Sequence, residues 1–269
     1  EDLSRGLGDV YKRQSEYRYR NPIVEDHTLF VTISQSGETA DTLAALEYAR
    51  AEKYVGIVTI CNVPTSTMAR NADWKIFTNA GPEIGVASTK AFTTQLAALL
   101  MLALSIAKSQ DKNAKKRKQA TQELRETPAL VDQAFSLKEN ISQITQNIST
   151  KHNALFLGRG MYFSIAQEGA LKLKEISYIH AEAYPAGELK HGPLALVDEQ
   201  IPVIALAPED SLVEKLLSNL EEVKARGGTL YVFGNANSTI EVKKGKFINM
   251  PDCGDYNAPI IYTLSLIHI

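Results

Sequence analysis

The turn Ser34–Thr39 reads Ser-Gln-Ser-Gly-Glu-Thr and lies between an apolar, β-rich run and a segment with helical spacing. At a strand-to-helix junction the first backbone N–H groups lack helical partners and the helix dipole is positive, so the turn suits a phosphate. Its hydroxyls and amide add donors, and Gly37 allows close backbone approach. No Gly-Lys-Ser/Thr follows, so we expect a phosphorylated small molecule rather than a nucleoside triphosphate. The alternative is that Ser36 merely caps the helix.

Charged side chains recur on one face of a predicted helix in the second half of the chain. Glu168, Lys172 and Glu175 follow one another at spacings of four and three residues. This spacing alone is typical of a surface ladder of ion pairs. A loop rich in glycine and proline follows and carries His191. A carboxylate, an ammonium and an imidazole in one region could instead move protons between adjacent carbons of a sugar.

Alternating strands and helices must position these residues. Strands are predicted over Leu29–Ile33, Tyr54–Cys61, Trp74–Thr78, Ala154–Leu157, Ile201–Ala207 and Leu230–Phe233. The alternation predicts parallel, doubly wound sheets that bind ligands at the carboxyl ends of their strands. Because strand, small-residue turn and helix occur in both halves, we expect two related α/β domains.

A largely apolar helix is predicted from Ala91 to about Lys108, and we expect it to be buried between layers. Ser88 precedes it and either caps the helix or faces the ligand. The apolar run Leu96–Ala107 is too short to span a bilayer.

The composition excludes several classes of function. The 269 residues are 44% hydrophobic and 22% charged, with a net charge of -2, so no field attracts nucleic acid or a membrane. Lys115–Lys118 is interpreted as a solvated helix face. Cys61 and Cys253 form no paired-cysteine motif, and the histidines lack metal-ligand spacing. We therefore expect no metal, no cofactor and a reducing cytoplasm.

The two ends of the chain lack the regular pattern of the rest. Residues 1–14 and 264–269 are interpreted as non-native segments and left out of fold reasoning. The first domain, with a connector, is placed at 15–127 and the second at 128–263.

Three motifs in order resemble the isomerase half of the glutamine:fructose-6-phosphate amidotransferase family. They are Ser34–Thr39, Val86–Thr93, and Glu175–Tyr184 together with Gly187–Pro193. The resemblance covers roughly residues 15–263 and implies two tandem flavodoxin-like SIS (sugar-isomerase) domains, each a three-layer α/β/α unit with a parallel sheet.

The resemblance also implies roles for individual residues. Those that would hold the sugar 6-phosphate are Ser34, Gln35, Ser36 and Thr39. Val86, through its backbone, and Ser88 would contact the sugar. Glu175 would be the base that moves a proton between C1 and C2, with Lys172 assisting at oxygen. His191 would open the sugar ring from a neighbouring subunit, so a homodimer is implied.

The implied reaction converts fructose 6-phosphate and glutamine to glucosamine 6-phosphate and glutamate. Compared with the family, we expect the glutaminase domain, the first strand and helix of the first domain, and the last helix and tail of the second to be missing. The tail holds the family's Schiff-base lysine, so we expect the chain alone to bind weakly and to be inactive.

Two alternatives remain open at this point. One is a non-catalytic SIS sugar-phosphate sensor, which needs the Ser34–Thr39 turn but not the three candidate catalytic side chains. The other is a SIS deglycase or isomerase without a glutaminase.

Overall fold

The structure is a computed structural model that describes residues 14–19, 22–85, 87–235 and 242–269. Its contacts divide the chain into two compact units, Glu1–Ala103 and Leu104–Ile269. The domain boundaries proposed from the sequence stay predictions. Residues 1–13 of the predicted leader lie outside the described residues.

The first unit is built on a parallel three-stranded sheet with strand order β1-β2-β3. Its elements are α1 (Gln14–Tyr17), β1 (Leu29–Ser34), α2 (Ala40–Ala51), β2 (Gly56–Cys61), α3 (Thr67–Asn71), β3 (Trp74–Phe77) and α4 (Lys90–Ser109), which continues into the second unit. Phe30, Leu46, Ile57 and Met68 belong to its core. The three predicted strands are confirmed, with small shifts at their ends.

The second unit contains a parallel five-stranded sheet with strand order β5-β4-β6-β7-β8. Its elements are α5 (Ala114–Phe135), α6 (Lys138–Ile148), β4 (Asn153–Gly158), α7 (Met161–Ser177), β5 (His180–Pro185), the 3-10 helices η1 (Ala186–His191) and η2 (Pro193–Leu196), β6 (Pro202–Ala207), α8 (Val213–Ala225), β7 (Thr229–Gly234), β8 (Gly245–Asn249) and α9 (Ala258–Ile267). The α/β class with two parallel sheets is thus confirmed.

Side chains of β4 and β7 alternate between the two faces of this sheet. Phe156 and Phe233 pack with residues of α6, α7 and α9 on one face. Leu155 and Val232 pack with residues of α8 on the other face. Because strand side chains point alternately to opposite faces, the sheet is covered on both sides by helices. The second unit therefore has the predicted three layers.

The last helix, α9, is buried in this core. Leu264 is 7% exposed and Leu266 is 2% exposed, and both pack in the cluster that contains Phe156. These residues lie in the segment 264–269 that the sequence set aside as non-native, and that interpretation stays a prediction.

Helix α4 corrects the expectation of a helix buried between layers. Only Ala91 and Ala98 of this helix are buried, whereas Met101 is 49% exposed and Ile106 is 42% exposed. The described elements bury only these two alanines of the helix. The prediction was wrong because it inferred burial from apolar composition alone. The helix has 20 residues, and by length and composition alone it could cross a membrane. The expectation that this segment is too short to span a bilayer was therefore wrong, because it counted only the run Leu96–Ala107 and not the whole helix.

Candidate functional site

The turn after β1 is held by hydrogen bonds to its own hydroxyls. Ser34 is 7% exposed, and its Oγ accepts the Gly37 N–H at 3.0 Å and lies 3.1 Å from Thr39 Oγ1. Ser36 Oγ accepts the Glu38 N–H at 3.1 Å. Because Ser36 Oγ accepts a hydrogen bond from the backbone, its own O–H is left to donate to another group.

Helix α2 begins directly after this turn. Thr39 occupies the N-cap position, and its side chain makes no capping hydrogen bond. Ser36 bonds inside the turn to the Glu38 amide and does not cap the helix, so the capping alternative for Ser36 is wrong. The turn therefore presents hydroxyls at the positive end of a 12-residue helix.

The connection after β2 packs against the same turn. The backbone carbonyl of Gln35, whose side chain is half-buried, accepts the Asn62 N–H at 3.1 Å. Glu38 Oε1 accepts the Thr67 N–H at 2.7 Å. This hydrogen bond, followed by one from the Thr67 side chain and by the charge of Arg70, lowers the pKa of the Glu38 carboxyl. Glu38 was given no role from the sequence, because no local spacing rule links it to Thr67.

The start of α4 is capped by a residue that the sequence did not single out. Glu83 Oε2 accepts the Ala91 N–H at 3.1 Å and the Ser88 hydroxyl at 3.2 Å. Ser88 thus reaches the helix end through Glu83 and does not cap it directly. Val86, predicted to contact a sugar through its backbone, lies outside the described residues.

A buried ion-pair network occupies one face of α7. Lys172 Nζ lies 2.8 Å from Glu175 Oε2 and 3.5 Å from Glu168 Oε1. The side chains of Lys172 and Glu168 are only 8% and 6% exposed, whereas that of Glu175 is 33% exposed. The surface-ladder alternative is therefore wrong, because the ammonium and one carboxylate lie inside the protein. Glu175 is the member that can reach a ligand.

His191 ends the 3-10 helix η1. Its side chain is 73% exposed, and its Nε2 lies 4.0 Å from Glu188 Oε2. Next to it, Lys190 Nζ lies 2.8 Å from Glu222 Oε1 on α8. The contact described for the His191 ring is with Glu188 of the same 3-10 helix. Of the three predicted catalytic residues, the structure brings Lys172 and Glu175 into direct contact.

The turn after β6, like the turn after β1, connects a strand to a helix, but in it a carboxylate rather than a hydroxyl accepts a backbone N–H. It holds Asp210, whose Oδ1 accepts the Leu212 N–H at 2.8 Å just before α8. A carboxylate of the chain thus bonds to a backbone amide at the start of this helix.

Within the described parts of the chain, no cluster of three His, Cys, Asp or Glu side chains could hold a metal ion.

Comparison with known proteins identifies the fold family. Residues 9–105 and 147–249 match the SIS domain family. The chain belongs to the SIS domain family. The two matched segments confirm the tandem SIS arrangement that the motifs predicted.

Two curated SIS relatives carry the name glutamine–fructose-6-phosphate aminotransferase [isomerizing]. The protein from Legionella pneumophila (strain Lens) is 54% identical over 261 residues, which cover 97% of this chain and 42% of the relative. The protein from Pseudomonas aeruginosa PAO1 is 55% identical over 254 residues, covering 94% of this chain and 42% of the relative. The chain thus spans about two fifths of the length of these relatives.

A solved SIS structure agrees with this placement. The C-terminal domain of glucosamine-fructose-6-phosphate aminotransferase from Francisella tularensis is 50% identical, with a TM-score of 0.92. The match covers 95% of this chain and 73% of that structure. The chain corresponds to the C-terminal SIS isomerase region of these aminotransferases, and the resemblance read from its motifs is confirmed.

Proposed function

We propose that this chain is the isomerase part of an enzyme that forms glucosamine 6-phosphate and glutamate from fructose 6-phosphate and glutamine. The single observation that carries this proposal is the ion pair of Lys172 with Glu175. Names of relatives at 54% and 50% identity support the choice of reaction. We also place the enzyme in the cytoplasm, since its two cysteines are free.

The sugar phosphate binds at the turn after β1. The side chains that hold the phosphate are those of Ser34, Gln35, Ser36 and Thr39. Ser36 and Thr39 supply hydroxyls in front of α2, whose dipole favours an anion. On the sequence motif alone, Val86 through its backbone and Ser88 contact the sugar. The phosphate is a remote handle whose binding energy positions the reacting carbons.

The proton transfer is carried out by Glu175. Its carboxylate removes a proton from C1 of the fructose imine and returns it to C2, so that the ketose imine becomes the aldose amine. Lys172 lies 2.8 Å from this carboxylate and stabilises negative charge that develops on the sugar oxygen. Its burial strengthens that effect, because water screens a buried charge less.

His191 opens the sugar ring, and it does so in a neighbouring subunit of a homodimer. Its 73% exposure within one chain leaves the imidazole accessible to a second copy. A sensor of sugar phosphates would not require the pair of the buried Lys172 with the partly exposed Glu175, and this favours the enzyme.

The test expresses the complete reading frame of the gene and measures glucosamine 6-phosphate formed from fructose 6-phosphate and glutamine. We expect Glu175→Gln to lower the rate about a thousandfold, because a general base is lost, while fructose 6-phosphate binding survives. Glu182→Gln is the matched control: it also removes a carboxylate that pairs with a lysine of α7, yet it should keep the wild-type rate.

Two results would contradict the proposal. Sugar-phosphate binding without any product from the wild type would point to the sensor. An active Glu175→Gln enzyme would remove Glu175 as the base.

A further inference from the structure

The N-terminus of α3 is capped in part by the turn after β1. Thr67 N–H donates to Glu38 Oε1 at 2.7 Å, and Met68 N–H donates to the Gly37 carbonyl at 3.1 Å. Ala69 N–H donates to Ser66 Oγ at 3.3 Å. Helix termini leave such amides without helical partners, so the turn and α3 stabilise each other.

Close packing prevents the turn from moving toward α3. Gly37 has φ +68, and a Cβ placed on it would overlap the Ser66 side chain. Ser66 is itself 1% exposed and cannot easily give way. The turn therefore already rests against α3, and the Glu38 hydrogen bond keeps it from moving outward.

Glu38 is bonded to α3 through its carboxylate. Its carboxylate accepts the Thr67 N–H, and the Arg70 charge stabilises its ionised form as well. A carboxylate left unbonded in the turn would repel a phosphate dianion. The hydrogen bond to the Thr67 N–H therefore holds the Glu38 carboxylate in place and reduces its repulsion of a bound phosphate.

We propose that Glu38 is a positioning residue for phosphate binding, whose side chain fixes the turn through the Thr67 N–H. The backbone supplies the coupling: the Glu38 N–H donates to Ser36 Oγ, so displacement of Glu38 moves the Ser36 hydroxyl directly. This inference rests on the proposed function, in which the turn holds the phosphate.

Two variants remove the two partners of this hydrogen bond separately. Glu38→Ala removes the acceptor, and Thr67→Pro removes the N–H donor. Thr67 is the first residue of α3, where proline is tolerated. Ser66 before it is extended, with φ -65 and ψ 159, as a residue preceding proline requires. Proline therefore removes the donor while the helix can still form.

The experiment measures the Kd of the chain for fructose 6-phosphate by calorimetry. We expect Glu38→Ala and Thr67→Pro each to weaken binding about tenfold, as for loss of one charged hydrogen bond. The double variant should bind no more weakly than either single variant, because both remove the same bond. Glu38→Gln keeps an acceptor and should restore most of the affinity.

A control separates this role from a general effect of charge. Glu47→Ala removes an exposed glutamate from α2 and should bind like the wild type. Thr67→Ala keeps the N–H but loses the hydroxyl, which bonds to Glu38 and accepts from Arg70, so it should weaken binding less than Thr67→Pro does. Additive losses in the double variant, or unchanged binding in Thr67→Pro, would overturn the proposal.

Amide hydrogen exchange without ligand distinguishes failure of this inference from failure of the proposed function. A wild-type chain that does not bind fructose 6-phosphate overturns phosphate binding at the turn. The role of Glu38 is then decided by exchange at Met68, whose N–H bonds to Gly37. Faster exchange in Glu38→Ala supports it, and unchanged exchange overturns it.

Discussion

The ammonium group of Lys172 on α7 lies between the carboxylates of Glu168 and Glu175. We expect Lys172→Met to destabilise the protein by about 3 kcal/mol, because it leaves a buried carboxylate without this ammonium. Lys174→Met is the matched control on the same helix: the Lys174–Glu182 pair is 38% and 42% exposed, and its loss should cost about 0.5 kcal/mol. Urea unfolding followed by circular dichroism measures both, and equal losses would contradict the burial argument.

The sequence placed these charges on one helical face but did not reveal that the face is buried. Spacings of three and four residues are the same on an exposed face and on a buried one. Burial is decided by packing of α7 against β4, β5 and α9, the last of which is distant in sequence. The sequence singled out the hydroxyls of the Ser34–Thr39 turn because they lie within six consecutive residues, where a local pattern is visible. Glu38 and Glu83 were missed because their partners lie beyond the reach of a spacing rule.

At the scale of elements, the contact between the β1 turn and α3 depends on Gly37. We expect Gly37→Ala to destabilise the first unit by about 2–3 kcal/mol, because it adds steric overlap with Ser66 to the cost of a positive φ. Gly81→Ala has a nearly equal φ of +71, but its Cβ would meet only the end of the Lys90 side chain at 4.0 Å, so it should cost only about 1 kcal/mol. Thermal unfolding of both variants measures the difference. Equal costs would mean that the contact with Ser66 contributes nothing.

The sequence predicted strands well where they coincide with a continuous run of apolar residues. The buried strands were recognised because both of their faces are apolar, as for β6, where every residue is buried. The burial of α4 was not predicted correctly, because an apolar helix carries the same pattern whether or not other elements cover it.

At the scale of the molecule, each unit contains one cysteine, Cys61 in the first and Cys253 in the second. Cys61 is fully buried, and burial, followed by the charges of Asp252 and Glu123, raises the pKa of Cys253 to about 12. The thiolate is the nucleophile that attacks a thiol reagent, and the protonated thiol reacts far more slowly. We therefore expect slow labelling of both native thiols at pH 8, with Cys253 accelerating only as pH approaches 12.

The measurement compares labelling rates with and without urea, using Cys61→Ser and Cys253→Ser to assign each rate to its unit. In urea the labelling rate should rise through about pH 8.5, the ordinary range of a free thiol. Native Cys253 that reacts at pH 8 as fast as it does in urea would contradict the expectation.

The turn after β6 in the second unit differs in chemistry from the turn after β1 in the first unit. Asp210 gives its carboxylate to the Leu212 amide, so this junction already carries an anion that belongs to the chain. The turn after β1 offers hydroxyls instead. The two strand-to-helix turns thus differ in chemistry, and under the proposed function the phosphate site of the turn after β1 is not repeated at the turn after β6. The second unit carries the Lys172–Glu175 pair, so under the proposed function this unit supplies the proton transfer and the first unit binds the phosphate.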